Sequence, residues 1–121
     1  MRKSLGLASV GRFAFGRDFY RQYVHVEDVA RSILLALDAQ KLPRQSYTIT
    51  GDSYVTLGDV ADLVGSILPD ARIEMGNGRD PVDDVQARFD ISAAGRDLDY
   101  RPAVELEAGI RSYAEWLSRR R

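Results

Sequence analysis

A run of strand-forming residues that passes directly into a helical pattern is the feature that most constrains this fold. Residues 20–26 are rich in aromatic and β-branched side chains, which favours a β-strand. Glu27 and Asp28 then supply negative charge to the first turn of a predicted helix that ends near Ala39. The apolar residues of this helix recur at spacings of three and four: Val29, Ala30, Ile33, Leu34, Ala36 and Leu37.

The alternation of strands and helices continues along the chain. Residues 1–11 have the pattern of a helix that runs into Gly11. Further strands are predicted at 12–15, 46–51 and 72–75, and further helices at 56–68, from Asp90-Ile91-Ser92 to Leu98, and from about Leu106. The predicted fold class is therefore α/β, with a small mixed sheet and about four helices. Because the strands are few and short, the one at Tyr47–Thr50 is expected to pair with strands that this chain does not contain.

The helix that begins after Thr56 has the clearest signals. Thr56 is predicted to cap it, with Asp59 in its first turn and Pro69 at its end. Its predicted buried face consists of Val60, Leu63, Val64, Ile67 and Leu68.

The length of the chain limits its function. A six-stranded dinucleotide-binding sheet needs about 150 residues, so the 121 residues here cannot hold a complete Rossmann oxidoreductase. With 45% hydrophobic and 29% charged residues, the composition is that of an ordinary globular domain.

Charge and composition exclude several classes of protein. The 17 basic and 18 acidic residues are interspersed, which argues against electrostatic binding to nucleic acid or to a membrane surface. There is no cysteine and only one histidine, His25, so thiolate chemistry is excluded and no metal site is expected. No apolar run is long enough to span a bilayer, and the cytoplasm is the expected location.

Four segments occur in an order that is typical of one family: residues 21–30 (Arg-Gln-Tyr-Val-His-Val-Glu-Asp-Val-Ala), 47–51 (Tyr-Thr-Ile-Thr-Gly), Asp90-Ile91-Ser92 through Pro102, and 106–110 with Trp116. Together they resemble the C-terminal, substrate-binding portion of the extended short-chain dehydrogenase/reductases, the NAD-dependent epimerase/dehydratase family that acts largely on nucleotide sugars. The resemblance covers about residues 12–118. It implies that residues 1–121 form a single substrate-binding portion and that the N-terminal NAD-binding Rossmann part is absent.

The resemblance also implies a set of substrate-binding residues. Arg21 matches an arginine that commonly reaches a phosphate of the nucleotide sugar, and a guanidinium suits phosphate oxygens; a surface arginine beside a strand is the equal alternative. Arg79 matches a second phosphate-contacting arginine, although the family's usual Arg-Pro-Gly-Asp run is replaced here by Arg79-Asp80-Pro81. His25 lies at a strand-to-helix junction that flanks the site in the family, and a structural role for it is favoured over general-base catalysis.

The catalytic and cofactor-binding motifs of the family are missing from the chain. Family catalysis uses a Tyr-x-x-x-Lys pair, but the only lysines are Lys3 and Lys41 and neither follows a tyrosine by four positions. There is also no glycine-rich fingerprint for a dinucleotide. The full-length family uses NAD or NADP; this chain alone is expected to bind no cofactor, to contain no catalytic residue and not to turn over substrate.

Two alternatives remain beside the substrate-binding interpretation. In the first alternative the chain is a free-standing, non-enzymatic binding or assembly module, which predicts a homodimer or a complex with a Rossmann-containing chain. In the second it is a truncated product without independent function. In the leading interpretation the partner is a nucleotide-sugar-like small molecule.

Four further residues receive structural interpretations. Tyr113 and Trp116 have the spacing of core residues on the last helix, and Asp28 is interpreted as a helix cap or first-turn charge. Asp99 occupies a position where the family often has glycine. If its backbone is left-handed, glycine would be the better residue there.

Overall fold

The fold was analysed in a computed structural model that describes residues 10–79, 81–82 and 84–120. Four short strands and four helices follow one another along the chain. Their order is β1 (Val10–Phe13), β2 (Tyr20–Tyr23), α1 (Val26–Asp38), β3 (Ser53–Thr56), α2 (Leu57–Ile67), β4 (Arg72–Met75), α3 (Ser92–Leu98) and α4 (Leu106–Arg119).

The chain is divided into two compact units. Unit 1 comprises the described residues of Met1–Arg21, Val55–Gln86 and Glu107–Arg121; unit 2 comprises Gln22–Tyr54 and Ala87–Leu106. The strands form two two-stranded sheets, one of β1 with β4 and one of β2 with β3.

A parallel strand pair forms the centre of unit 1. Val10 of β1 lies opposite Arg72 of β4, and the register continues to Phe13 opposite Met75. Helix α2 packs against β4. Parallel strands need a crossover connection, and the long stretch between β1 and β4 provides it.

Helix α2 begins as the sequence predicts. The Thr56 side chain accepts a hydrogen bond from the backbone N–H of Asp59 at 3.0 Å, and the Asp59 carboxylate accepts one from the N–H of Thr56 at 3.2 Å. This capping box pairs two N–H groups that the helix leaves without intrahelical partners. The predicted buried face is confirmed only in part: Val60, Leu63, Val64, Ile67 and Leu68 are half-buried, and the fully buried residues of the helix are Gly58 and Ala61. The fully buried positions of α2 are therefore occupied by small residues.

The core of unit 2 lies beside α3. Ala94, Leu98 and Tyr100 are buried there at 0%, 6% and 1% exposure. Partly buried apolar side chains surround them. They come from α1 and its C-terminal end, from residues 47–49, and from the residue that precedes α3: Leu35, Ala36, Ala39, Tyr47, Ile49 and Ile91. This cluster joins the two stretches of chain that make up the unit.

The strand predicted at residues 46–51 is not present; the neighbouring residues 53–56 form β3 instead. Side chains, rather than a neighbouring strand, bind two carbonyls of this segment. The Tyr100 hydroxyl donates to the carbonyl of Thr50 at 2.9 Å, and Gln22 Nε2 donates to the carbonyl of Gly51 at 2.8 Å. Strand-type composition alone does not supply a ladder partner.

Two other predictions need correction. Val10 and Gly11 belong to β1 rather than to a helix, while residues 1–9 of that predicted helix lie outside the described residues. Tyr113 and Trp116 are not core residues, since they are 61% and 45% exposed and stack on each other with ring centroids 6.0 Å apart. Helical spacing identifies a shared face but not what covers it.

The helices of the described ranges are also too short or too polar to cross a membrane.

Candidate functional site

The candidate site in unit 1 is built where β1 and β4 end. Because the two strands are parallel, the loops that follow Phe13 and Met75 leave the same edge of the sheet. Ligands of α/β proteins bind outside the carboxyl ends of parallel strands. A surface cavity of about 460 Å³ is lined there by residues of the two strand ends, including Phe13, Met75 and Gly76.

Hydrogen bonds join the two loops. The backbone N–H of Gly16 donates to the carbonyl of Gly78 at 3.0 Å, and the N–H of Asp18 donates to the same carbonyl at 3.3 Å. In return, the N–H of Gly78 donates to the Asp18 carboxylate. Arg21 lies in β2, three residues after Asp18, and Arg79 directly follows Gly78; neither of these two predicted phosphate ligands lines the cavity.

Glycine is required at two positions of the second loop. A Cβ atom on Gly76 would lie 2.0 Å from the carbonyl oxygen of Ala14, a distance that no side chain tolerates. Gly78 has a φ of 86°, which residues with a side chain adopt only with strain. The sequence pattern marks this segment as a turn, but it does not reveal that the turn packs against Ala14.

Arg21 is held in a defined orientation. Its Nη1 donates to the carbonyl of Tyr20 at 2.8 Å, and its guanidinium lies 4.2 Å from the centroid of the Phe19 ring. The Phe19 ring is only 4% exposed, so it forms a fixed platform for a stacked guanidinium. Arg79 is exposed directly after Gly78. Asp80, which replaces a proline in the pattern that the sequence analysis compares with Arg79-Asp80-Pro81, lies outside the described residues.

The Arg17 side chain fastens the first loop to α2. Its guanidinium donates to the Asp62 carboxylate at 2.8 Å, and the Arg17 carbonyl accepts from the N–H of Gly58 at 3.1 Å. A Cβ atom on Gly58 would lie 2.9 Å from that carbonyl oxygen. This anchor is absent from the sequence prediction, because only the fold brings residues 17 and 58 together.

His25 belongs to unit 2, not to the unit that contains Arg21 and Arg79. It is the N-cap residue of α1, and its Nδ1 accepts a hydrogen bond from the backbone N–H of Glu27 at 3.0 Å. The structural role favoured by the sequence is therefore observed. A part for His25 in substrate binding stays a prediction.

Asp28 has a larger structural role than the predicted first-turn charge. Its side chain is fully buried and accepts hydrogen bonds from Arg31 Nη1 at 2.6 Å and from the backbone N–H groups of Ala103 and Val104 at 3.1 Å. Burial alone raises the pKa of Asp28, but the bonds from Arg31 and the two N–H groups outweigh this effect and leave the pKa below its ordinary value. The sequence contains no signal for these bonds, because their donors lie far along the chain.

Two tyrosines of unit 2 hold their protons more tightly than usual. Burial raises the pKa of Tyr100, and the nearby charge of Asp28 raises it further. Burial and a hydrogen bond from Tyr47 Oη to Asp97 at 2.8 Å raise the pKa of Tyr47. A tyrosine that exchanges protons in catalysis needs a lowered pKa instead.

Across residues 10–79, 81–82 and 84–120, no group of three or more acidic or histidine side chains is placed to hold a metal ion.

A second surface cavity, also about 460 Å³, lies in unit 2. Its lining combines Ser92, Arg96 and Arg101 with the carboxylate of Asp52. Arg96 already reaches the Ser92 hydroxyl at 3.4 Å, and Arg101 lies 3.5 Å from the Asp99 carboxylate. None of the predicted substrate-binding residues lies there.

No family model and no curated protein sequence matches the chain significantly. Solved structures do match it over nearly its whole length. The UDP-glucose 4-epimerase of Thermotoga maritima, solved with UDP-glucose, is 24% identical with a TM-score of 0.79, and the match covers 98% of this chain and 37% of that one. The UDP-glucuronic acid 4-epimerase of Bacillus cereus, solved with UDP-glucuronic acid and NAD, is 20% identical with a TM-score of 0.76, covering 91% of this chain and 35% of that one.

The same fold also occurs in an enzyme with a different type of substrate. L-threonine dehydrogenase from Phytophthora infestans has a TM-score of 0.80 at 14% identity, covering 99% of this chain and 40% of that one. The chain therefore spans about two-fifths of the length of its structural neighbours. The likeness confirms the predicted α/β fold, which matches part of the fold of these epimerases and of this dehydrogenase. A shared fold does not fix the substrate.

Proposed function

We propose that this chain is the substrate-binding portion of an NAD-dependent nucleotide-sugar epimerase/dehydratase-like protein and does not turn over substrate alone. The observation that carries the proposal is the match of 98% of the chain to part of an epimerase solved with UDP-glucose. The two joined loops at the carboxyl ends of β1 and β4 support it, because they place an oriented arginine and an exposed arginine in one unit.

Arg21 and Arg79 bind the phosphates of the nucleotide sugar in this proposal. The Arg21 guanidinium is stacked on Phe19, so little side-chain freedom is lost when it donates to phosphate oxygens. Arg79 is exposed and supplies a second positive charge. His25 caps the start of α1 through its hydrogen bond with the N–H of Glu27. In this proposal it contributes to substrate binding from its position between β2 and α1.

NAD or NADP belongs to the rest of the protein. The chain contains no glycine-rich phosphate loop and no Tyr-x-x-x-Lys pair, so its residues do not fit a dinucleotide site. We therefore assign the cofactor to the part of the fold that the neighbours contain beyond the matched two-fifths.

The proposal is tested by titrating UDP-glucose into the purified chain and following binding by isothermal titration calorimetry. We expect Arg21→Gln to weaken binding by about tenfold, because one charge-assisted bond to phosphate is lost. Arg79→Gln is expected to act in the same direction. Arg111→Gln is the matched control, since Arg111 pairs with Glu107 on the exposed face of α4.

Equal affinities in the parent chain and in Arg21→Gln would contradict the proposed phosphate contact, and a parent chain that does not bind UDP-glucose would contradict the function. Epimerisation of UDP-glucose by the purified chain, with or without added NAD, would disprove the claim that it is inactive alone.

A second candidate function is a non-enzymatic assembly module that pairs with another chain. One observation favours it: the apolar face of α1 that carries Ile33 and Leu37 is open to solvent. A module of this kind binds a protein partner and shows no preference for UDP-glucose, which separates it from the first proposal.

A further inference from the structure

Asn77 is the only asparagine of the chain, and a glycine follows it directly. It is exposed, in the second loop of unit 1, which follows β4. An Asn-Gly pair is chemically labile, because glycine has no Cβ atom to keep its backbone nitrogen away from the preceding side chain. The position therefore has the composition of a site that is modified without an enzyme.

The reaction of such a pair has two steps. The backbone nitrogen of Gly78 attacks the side-chain Cγ of Asn77, so that a new N–C bond forms and the bond from Cγ to the amide nitrogen breaks. The amide nitrogen leaves as ammonia and takes up the proton of the Gly78 N–H. Water then opens the resulting cyclic imide at one of its two carbonyl carbons, which gives either aspartate or isoaspartate. Nothing is oxidised or reduced, and water is the only co-reactant.

In the folded chain the attacking nitrogen already has a partner. The N–H of Gly78 donates a hydrogen bond to the carboxylate of Asp18, in the first loop. The carbonyl of Gly78 accepts from the N–H of Gly16 at 3.0 Å and from the N–H of Asp18 at 3.3 Å. Both peptide groups of Gly78 are thus bound to the first loop, while the neighbouring Asn77 is exposed.

The bond to Asp18 opposes the reaction for two reasons. The Gly78 nitrogen must give up its proton, and a carboxylate that accepts the N–H hydrogen bond stabilises the protonated amide and repels an amide anion. The cyclic imide, moreover, has no N–H at residue 78, so this hydrogen bond is necessarily lost before the product forms. The reaction therefore proceeds from the fraction of molecules in which the two loops have separated.

We propose that Asn77 is a site of spontaneous deamidation and isoaspartate formation, and that the Asp18 carboxylate restrains this reaction in the folded chain. Either product adds a carboxylate beside the N–H that Asp18 binds, and isoaspartate also lengthens the backbone of the second loop. The modification therefore weakens the contact that restrains it. The new charge also lies two residues before Arg79, and its effect on phosphate binding is the one consequence that rests on the proposed function.

The test follows the complete 121-residue chain during incubation at neutral pH, in buffer and in urea. Trypsin releases residues 73–79 as one peptide, in which liquid chromatography with mass spectrometry separates asparagine, aspartate and isoaspartate at residue 77. We expect deamidation in buffer to be about tenfold slower than in urea, because the folded chain reacts only after the loops open. Asp18→Ala should raise the rate in buffer about fivefold and leave the rate in urea unchanged.

Asp70→Ala is the matched control, because it removes an exposed carboxylate of the same unit outside the two loops; its rate should equal that of the parent chain. Asp18 is exposed, so its variants are expected to fold, which circular dichroism checks. Asp18→Lys is the second variant, since it also removes the acceptor, and it should react at least as fast as Asp18→Ala.

Three outcomes would overturn the inference: residue 77 stays asparagine in urea, the parent chain reacts equally fast in buffer and in urea, or a folded Asp18 variant reacts at the rate of the parent chain. The peptide measurement contains no UDP-glucose, whereas the proposed function is tested by calorimetry with that ligand. Failure of this inference and failure of the proposed function are therefore distinguishable.

Discussion

The carboxylate of Asp28 accepts a hydrogen bond from the backbone N–H of Val104, 76 residues later in the chain, at 3.1 Å. The adjacent N–H of Ala103 donates to the same carboxylate, and the Arg31 guanidinium donates to its other oxygen at 2.6 Å. Arg31 also donates to the carbonyl of Arg101. The first turn of α1 thus holds the segment that leads towards α4.

Removing this carboxylate should destabilise the protein strongly. Asp28→Ala removes a fully buried carboxylate that accepts hydrogen bonds from two backbone N–H groups and from the partly exposed Arg31 guanidinium. We expect a loss of about 3 kcal/mol in the free energy of unfolding, measured by urea denaturation. Glu27→Ala, one position earlier and exposed, is the control and should lose less than about 1 kcal/mol. A similar loss in both variants would show that Asp28 acts only through the charge of the helix start.

The stability of the protein should fall in acid, and Asp28 should account for part of the fall. Because the folded state lowers the pKa of Asp28, its contribution is present above the ordinary carboxyl pKa of about 3.9 and is lost as the pH falls through the lower, folded value. Urea midpoints measured between pH 6 and pH 2 test this directly.

Asp28→Asn is the reference for the pH experiment, because the amide does not titrate. Its stability should be lower than that of the parent chain at pH 6 and should change less between pH 5 and pH 2. If the two curves run parallel over that range, Asp28 does not cause the acid sensitivity.

Asp99→Gly should raise the melting temperature. Asp99 follows α3 with φ 56° and ψ 32°, a left-handed conformation that glycine adopts without strain. Its ion pair with Arg101 is long, at 3.5 Å, and exposed, so little is lost when the carboxylate is removed. We expect a rise of about 3 °C by differential scanning calorimetry.

Asp99→Ala separates the backbone effect from the loss of charge. Alanine removes the same carboxylate but keeps a Cβ atom, so its melting temperature should not rise. An equal rise in both variants would assign the effect to charge instead.

The parts of the fold that were predictable are those specified by neighbouring residues. Thr56 and Asp59 form their capping box within four residues, and β4 begins and ends where its residue types indicate. The fold itself followed from an ordered set of motifs. For the candidate site, the sequence predicts Arg21 and Arg79 as phosphate ligands but does not predict the contacts between the two loops, since Gly16 and Gly78 meet only in the folded chain.

The remaining errors come from contacts between distant residues. Residues 46–51 have the composition of a strand, but Tyr100 and Gln22 bind their carbonyls from elsewhere in the chain. The buried role of Asp28 depends on Ala103 and Val104 in the same way. On α1, the spacing of the apolar residues could not distinguish the face that meets Leu98 and Tyr100 from the face that meets solvent.

Because unit 2 is formed from two separated stretches of sequence, it cannot be completed during synthesis until the second stretch has been made. Its first stretch ends at Tyr54, but the aromatic side chain that closes its core, Tyr100, belongs to a second stretch that ends at Leu106. At roughly 5–20 residues per second, the first stretch leaves the exit tunnel several seconds before the second. During that interval α1 has neither Val104 to bind nor Leu98 to pack on, and both of its apolar faces are accessible to chaperones. Translation speed between codons 54 and 106 therefore sets how long unit 2 remains incomplete on the ribosome.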